Sequence, residues 1–237
     1  MTGENRITVQ GLTKTFSLQS PRTDLFSEAK KFLVGRYPLV PLKALEDISF
    51  SVAAGQAVAL TGHNGSGKST LLRLLAGILK PGAGAVRING KTAPLLGFGA
   101  AMQDLLSVEE NIRVFAALNA VAAGPQYIEH ILAETGLAGF RHANARELSS
   151  GMRVRIPFMT ALHSGAEVFL IDEMLSAGDA DFRAAAIARL AELKKAGAAI
   201  IFATHDPGQA AGLVDRLITL EHGRISYDGP PAAAPKA

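Results

Sequence analysis

An α/β fold is what the amino-acid sequence predicts: a mainly parallel central sheet, an antiparallel β subdomain at the start, and a helical subdomain over about 103–163. Three observations predict it. Strand-like and helix-like segments alternate through the last third of the chain, the mark of parallel strands covered by helices. Two early segments, RITVQG and LEDISFSVAAG, alternate apolar with polar residues, as half-buried antiparallel strands do. From about Val108 to Leu162 the pattern is helical, with breaks at Gly124-Pro125 and Gly136.

The elements follow in order. After RITVQG, the stretch SPRTDLFSEAKKFLVGRYPLVP places Leu25, Phe26, Ala29, Phe32 and Leu33 at helical spacing, with Asp24 as N-cap and Gly35 as stop. QAVAL reads as a buried strand, followed by a Gly-rich turn and the helix KSTLLRLLAGIL, which KPGAG stops. Beyond the helical stretch come the strand EVFLID, the helix DFRAAAIARLAELKKAG, the strand AAIIFAT, a short helix, then RLITLEHG and RISYDG. The Pro/Ala-rich tail over 229–237 is expected to be disordered. No internal repeat interrupts this order, so the 237 residues are expected to form one domain.

Composition narrows the function. Apolar residues make up 48% and charged residues 19%, an ordinary globular balance. The chain has no cysteine, which excludes disulfides and thiolate chemistry. MTGENRITVQ lacks an apolar signal core, and no apolar run reaches the roughly 20 residues of a membrane span. A net charge of +3 from scattered Lys and Arg argues against nucleic acid as the partner, which needs a concentrated basic face.

The chemistry concentrates in a few turns. GHNGSGKST, residues 62–70, follows an apolar strand and opens a helix, the two conditions a phosphate-binding loop needs. Gly62, His63, Asn64, Gly65, Ser66, Gly67, Lys68, Ser69 and Thr70 form this candidate cradle. Gly65 and Gly67 let the backbone wrap phosphate, Lys68 reaches the β and γ phosphates, and Ser69 offers an oxygen to Mg²⁺. Asp172 emerges at the C-terminal end of EVFLID, where open α/β sheets place their ligands, and is a second candidate for Mg²⁺. Glu173 follows it, placed to polarise an attacking water; an acidic cap on the next helix is the plainer alternative.

Further positions join these. His205 ends a strand expected to run parallel to that of Asp172, and could touch the γ-phosphate. Gln103 precedes a helix and could reach the metal or the water. Phe16 could stack on adenine, with Tyr37 as its competitor. Lastly ARELSSGMRVRI carries Ser149, Ser150 and Gly151 at a helix start, a second donor-rich turn suited to an anion.

The set GHNGSGKST, Gln103, LSSGM, FLIDE, SAGD and His205, in this order, resembles the ATP-binding cassette of ABC transporters over nearly the whole chain. LSSGM stands where that family has its signature turn, usually LSGGQ, and SAGD stands for the D-loop with Asp179 as its acid. SSGM followed by LIDEMLSAGDADFR, and the short spacing from Gln103 to Asn111, are similar to the ATP-binding subunits of capsular-polysaccharide, O-antigen and teichoic-acid exporters. Some of those carry a C-terminal carbohydrate-binding domain; the sequence ends soon after Tyr227, so none is expected here. Pro157 lies within the signature helix, where a lost donor predicts a kink.

The resemblance implies a P-loop NTPase that hydrolyses ATP with Mg²⁺. It implies a head-to-tail dimer in which Ser149, Ser150, Gly151 and Asp179 complete the partner's site, and two copies of a polytopic membrane subunit. It also implies a peripheral place on the cytoplasmic face of the inner membrane, where the apolar stripe of residues 24–34, beside Lys30 and Lys31, would dock on that subunit or on lipid, or else pack on the protein's own core. Alternatives are another exported substrate or a non-transport ATPase of the same fold. Translation factors of that type usually hold two cassettes and repair proteins a long coiled coil, and neither appears. A small-molecule kinase explains neither LSSGM nor His205.

Overall fold

The computed structural model describes residues 4–19, 39–97, 102–172, 179–205 and 212–231. The helix expected at 24–34, Tyr37, Glu173, the short helix after AAIIFAT and residues 232–237 of the tail lie outside the described residues.

Two sheets form the framework. The first has the order β2-β1-β4, from β1 (Asn5–Gln19), β2 (Leu39–Ala53) and β4 (Ala83–Ile88), all antiparallel. The second has six strands in the order β5-β6-β7-β3-β8-β9. They are β3 (Ala57–Thr61), β5 (Thr92–Leu95), β6 (Val168–Ile171), β7 (Ala199–Ala203), β8 (Arg216–Glu221) and β9 (Arg224–Gly229). Its strands run parallel from β5 to β8, and β9 returns antiparallel as an edge hairpin. The expected antiparallel start and parallel core are both present. Strands β4 and β5 were not anticipated, and β1 and β2 run well past RITVQG and LEDISFSVAAG, because their pairing continues through several register shifts.

Helix α1 (Lys68–Leu75) follows β3. The helical subdomain holds α2 (Val108–Leu118), α3 (Pro125–Thr135) and α4 (Ser150–Leu162), and α5 (Ala180–Lys195) leads to β7. The breaks fall where the sequence set them. Pro125 opens α3 at a position where its missing donor costs nothing, and Gly136 closes it in the left-handed region at φ 68°. Helix α4 runs unbroken through the buried Pro157.

The period-2 alternation of a strand sends successive side chains to opposite faces of the six-stranded sheet. Val168 and Leu170 of β6 join Ala199 and Ile201 of β7 and Leu71, Leu72, Leu74 and Leu75 of α1 in one core, beneath the antiparallel sheet. Phe169 and Ile171, with Ile200 and Phe202, join Ile156 and Phe158 of α4 and Phe182 of α5 in a second. The sheet therefore separates α1 from α4.

Candidate nucleotide site

Strands β3, β6 and β7 end together. Leu60 is level with Ala203 and Ile171 with Phe202, so Gly62, Asp172 and the Thr204-His205 pair leave the same edge of the sheet. Strand β7 runs parallel to β6, as expected for the strand that His205 ends; it lies between β6 and β3, and the Thr204 N–H donates to the Leu60 carbonyl at 3.1 Å.

The loop at 62–67 is shaped by its glycines. Gly62, Gly65 and Gly67 have φ of 138°, 80° and 112°, a region that side chains rarely enter. A Cβ on Gly62 would lie 2.2 Å from the Leu220 carbonyl oxygen, and one on Gly67 would lie 2.7 Å from Leu45 Cδ2. The first helical bond runs from the Leu71 N–H to the Gly67 carbonyl at 2.9 Å, and no side chain caps α1. The N–H groups of its first turn are thus left for an anion, with the positive end of the helix dipole behind them. Lys68 is buried to 7% exposure and its Nζ donates to the Gly62 and His63 carbonyls at 2.6 and 3.2 Å, which holds the cation across the mouth of the loop.

A support behind the loop was not foreseen. The turn between β8 and β9 meets it: the Gly223 N–H donates to the Ser66 carbonyl, the Glu46 N–H to the Gly223 carbonyl, and the His63 and His222 rings lie 5.3 Å apart. The only hint was the Gly in RLITLEHG. Ser66 is buried at 1% exposure, and its Oγ has no hydrogen-bond partner among the described residues.

Asp172 is half-buried at the sheet edge, its N–H donating to the Leu95 carbonyl at 3.1 Å. Ser69 and Gln103 are exposed. A hydroxyl, a carboxylate and an amide oxygen are the hard donors that suit Mg²⁺. Gln103 is positioned by Asn111, which is fully buried on α2: its Oδ1 accepts from the Gln103 N–H at 2.8 Å and its Nδ2 donates to the carbonyls of Gln103, Leu106 and Ser107. The sequence showed this pair only as a spacing. Phe16 lies on β1 opposite Leu42, with the Lys14 ammonium 5.3 Å from its ring centroid.

The second turn is formed as predicted but is not brought to the first. Ser149 is the N-cap of α4, its Oγ accepting from the Met152 N–H at 3.3 Å, and it is exposed with Ser150. It belongs to the layer on the far side of the sheet from α1. Asp179 caps α5 through the Phe182 N–H and pairs with Arg155 of α4.

Comparison with known proteins agrees with this geometry. The family described as "ABC transporter" matches residues 45–176. The chain is 38% identical over 188 residues to the O-antigen export system ATP-binding protein RfbB of Klebsiella pneumoniae, covering 78% of this chain and 76% of that one. It is 30% identical over 230 residues to the teichoic acids export ATP-binding protein TagH of Listeria monocytogenes, covering 96% and 68%. Among solved structures, the ATP-binding cassette MJ0796, in a dimeric post-hydrolysis state bound to ADP and Pi, superposes with a TM-score of 0.77 at 20% identity, over 94% of this chain and 98% of that one, which gives the fold. A glycine loop at the end of β3, a carboxylate at the end of β6 and a histidine between them, in a chain so matched, place this protein in the ABC transporter family as an ATP-hydrolysing cassette.

Proposed function

We propose that this cassette powers the export of a cell-surface polysaccharide of capsule, O-antigen or teichoic-acid type through a separate membrane subunit, working as a head-to-tail dimer that shares two ATPs. The observation that carries the dimer is the separation of two phosphate-suited turns, at 62–67 and 149–151, onto opposite layers of one chain. A second copy, turned head to tail, brings each turn to the other's nucleotide. The substrate class is supported by relatives named for O-antigen and teichoic-acid export at 30–38% identity, and by the SSGM turn.

In this reading Glu173 accepts a proton from water as its oxygen attacks the γ-phosphorus. ADP leaves as the bond to its β-phosphate oxygen breaks. Lys68 and the first-turn N–H groups of α1 hold the charge that develops, His205 contacts the γ-phosphate, and Ser69, Asp172 and Gln103 would hold a Mg²⁺, which when bound would neutralise phosphate charge. The partner's Ser149, Ser150, Gly151 and Asp179 close over the same phosphate.

The absence of cysteine makes the dimer testable. In a Glu173→Gln background, which should bind ATP but lose about a hundredfold or more of turnover, chains carrying Ser149→Cys are mixed with chains carrying Asn64→Cys. An ATP-dependent cross-link between the two chains is expected; its absence, with a link forming instead inside a single chain that carries both cysteines, would exclude shared sites. For the substrate, disruption of the gene should remove a surface polymer, restored by the wild type and not by Glu173→Gln.

A further inference from the structure

Away from the nucleotide edge, α3 places His130 and Glu134 one turn apart on the same face. His163, the C-cap of α4, meets them from the neighbouring helix. One carboxylate oxygen of Glu134 lies 2.6 Å from His163 Nε2 and the other 3.3 Å from His130 Nε2, and the two rings meet edge to face with centroids 4.7 Å apart. One nitrogen of each histidine and one carboxylate oxygen all lie within 4.8 Å of one another. They border an open cleft of about 460 Å³, also lined by Met159, Ala185 and the Arg189–Glu192 ion pair.

We propose that His130, Glu134 and His163 form a site for a transition-metal dication of the Zn²⁺ class, clipping α3 to the end of α4. The donor set is two imidazole nitrogens and a carboxylate, which Zn²⁺ takes with a water in the fourth position. Metal–ligand bonds of about 2.0–2.1 Å in a tetrahedron put the donor atoms about 3.3 Å apart. The His130–Glu134 spacing already matches this, and the remaining donor atoms lie within 4.8 Å of one another. The small Ala185 leaves the cleft open for the water. The local charge favours a cation, because two carboxylates, Glu134 and Glu192, stand against one guanidinium, Arg189. Burial, the largest influence on it, lowers the His163 pKa from its ordinary value, while the hydrogen bond to Glu134 raises it. Nothing in this cluster serves the phosphate turns, and Mg²⁺, which prefers oxygen donors, is poorly suited to it.

The test uses the full untagged chain, stripped of metal and free of nucleotide, titrated with Co²⁺ and then Zn²⁺. A single equivalent of Co²⁺ should give the intense visible absorption of a four-coordinate site, which Zn²⁺ abolishes. Zn²⁺ should also raise the melting temperature. His130→Ala, Glu134→Gln and His163→Ala should each lose the absorption and weaken Zn²⁺ binding by about a hundredfold or more, since even outer-sphere substitutions reach that range. Asp172→Asn, at the nucleotide edge, should keep it. His130 is exposed enough, at 52%, that its substitution tests ligation with the metal-free melting temperature unchanged. Absence of the absorption, its survival in both histidine variants, or its loss in Asp172→Asn would overturn the assignment.

Discussion

Arg155 in α4 and Asp179 at the head of α5 form an ion pair, and the same guanidinium donates to the Thr135 carbonyl at the end of α3 at 2.9 Å. It also lies 5.5 Å from the centroid of the Phe182 ring. Three helices thus meet on one side chain. Asp179 is 58% exposed, so the ion pair itself contributes little, and the Thr135 bond and the ring packing carry most of the effect. Arg155→Ala should lower unfolding free energy by about 1–3 kcal/mol in urea titration. Arg155→Lys should fail to restore it, because an ammonium cannot span both oxygens and the ring. Full rescue by Lys would show that charge alone matters.

The loop glycines separate strain from contact. Gly62→Ala drives a Cβ into the Leu220 carbonyl, whereas Gly65→Ala meets nothing within 4 Å and suffers only its φ of 80°. Thermal melting should show Gly62→Ala destabilised by about 3 kcal/mol or more, and Gly65→Ala by about 1–2 kcal/mol. Equal losses would mean that the contact with β8 gives way without cost.

Asn111, itself fully buried, is the acceptor for the Gln103 N–H, while the three carbonyls it bonds also accept from the backbone N–H groups of Leu106, Ala145 and Asn111. Asn111→Ala should cost about 1–3 kcal/mol, chiefly from the Gln103 N–H left without its acceptor. It should reduce ATP turnover more than ATP affinity, because Gln103 loses its anchor while the loop at 62–67 is untouched. Asn111→Asp should not rescue it, since a carboxylate cannot donate to the three carbonyls. An unchanged ratio of turnover to affinity would remove Gln103 from the chemistry.

The start of α2 gives an acid dependence of known sign. Bonds from the Ser107 N–H and hydroxyl hold the Glu110 carboxyl below its ordinary 4.5, and bonds from Arg141 and then Arg113 do the same for Glu109. Both pKa values are depressed on folding, so their stabilisation is present above 4.5 and is lost as pH falls through the lower folded values. Glu110→Gln should flatten the fall of the urea midpoint below about pH 4.5, and Ser107→Ala should cost about 1 kcal/mol at neutral pH. An unaltered acid limb in Glu110→Gln would show the capping box to be unimportant.

Legibility followed the physics of each segment. QAVAL and EVFLID were plain because strands buried on both faces are continuous apolar runs, and the apolar residues of both segments are all buried. The helix limits at Gly124-Pro125 and Gly136 were plain because capping is local. The outer half of the β1–β2 hairpin was not, because the first five residues of β2 are exposed and carry no alternating signature. Asn111 and the β8–β9 turn were missed as supports for a different reason: their partners are backbone groups, which leave no trace in side-chain type. The order of the phosphate turns was readable, but their placement on opposite layers needed the faces of β6 and β7.

Because β6 and β7 give alternate residues to each core, neither core owns the ladder between them. Loosening α4 and its neighbours uncovers one face of these strands and leaves the other sealed by α1, and the converse holds on the far side. An amide in β6 or β7 is released to solvent deuterium only when both layers have gone. Its exchange therefore reports global unfolding, while the helices on either side can open separately and earlier. The layers of this chain can therefore flex without unzipping its spine.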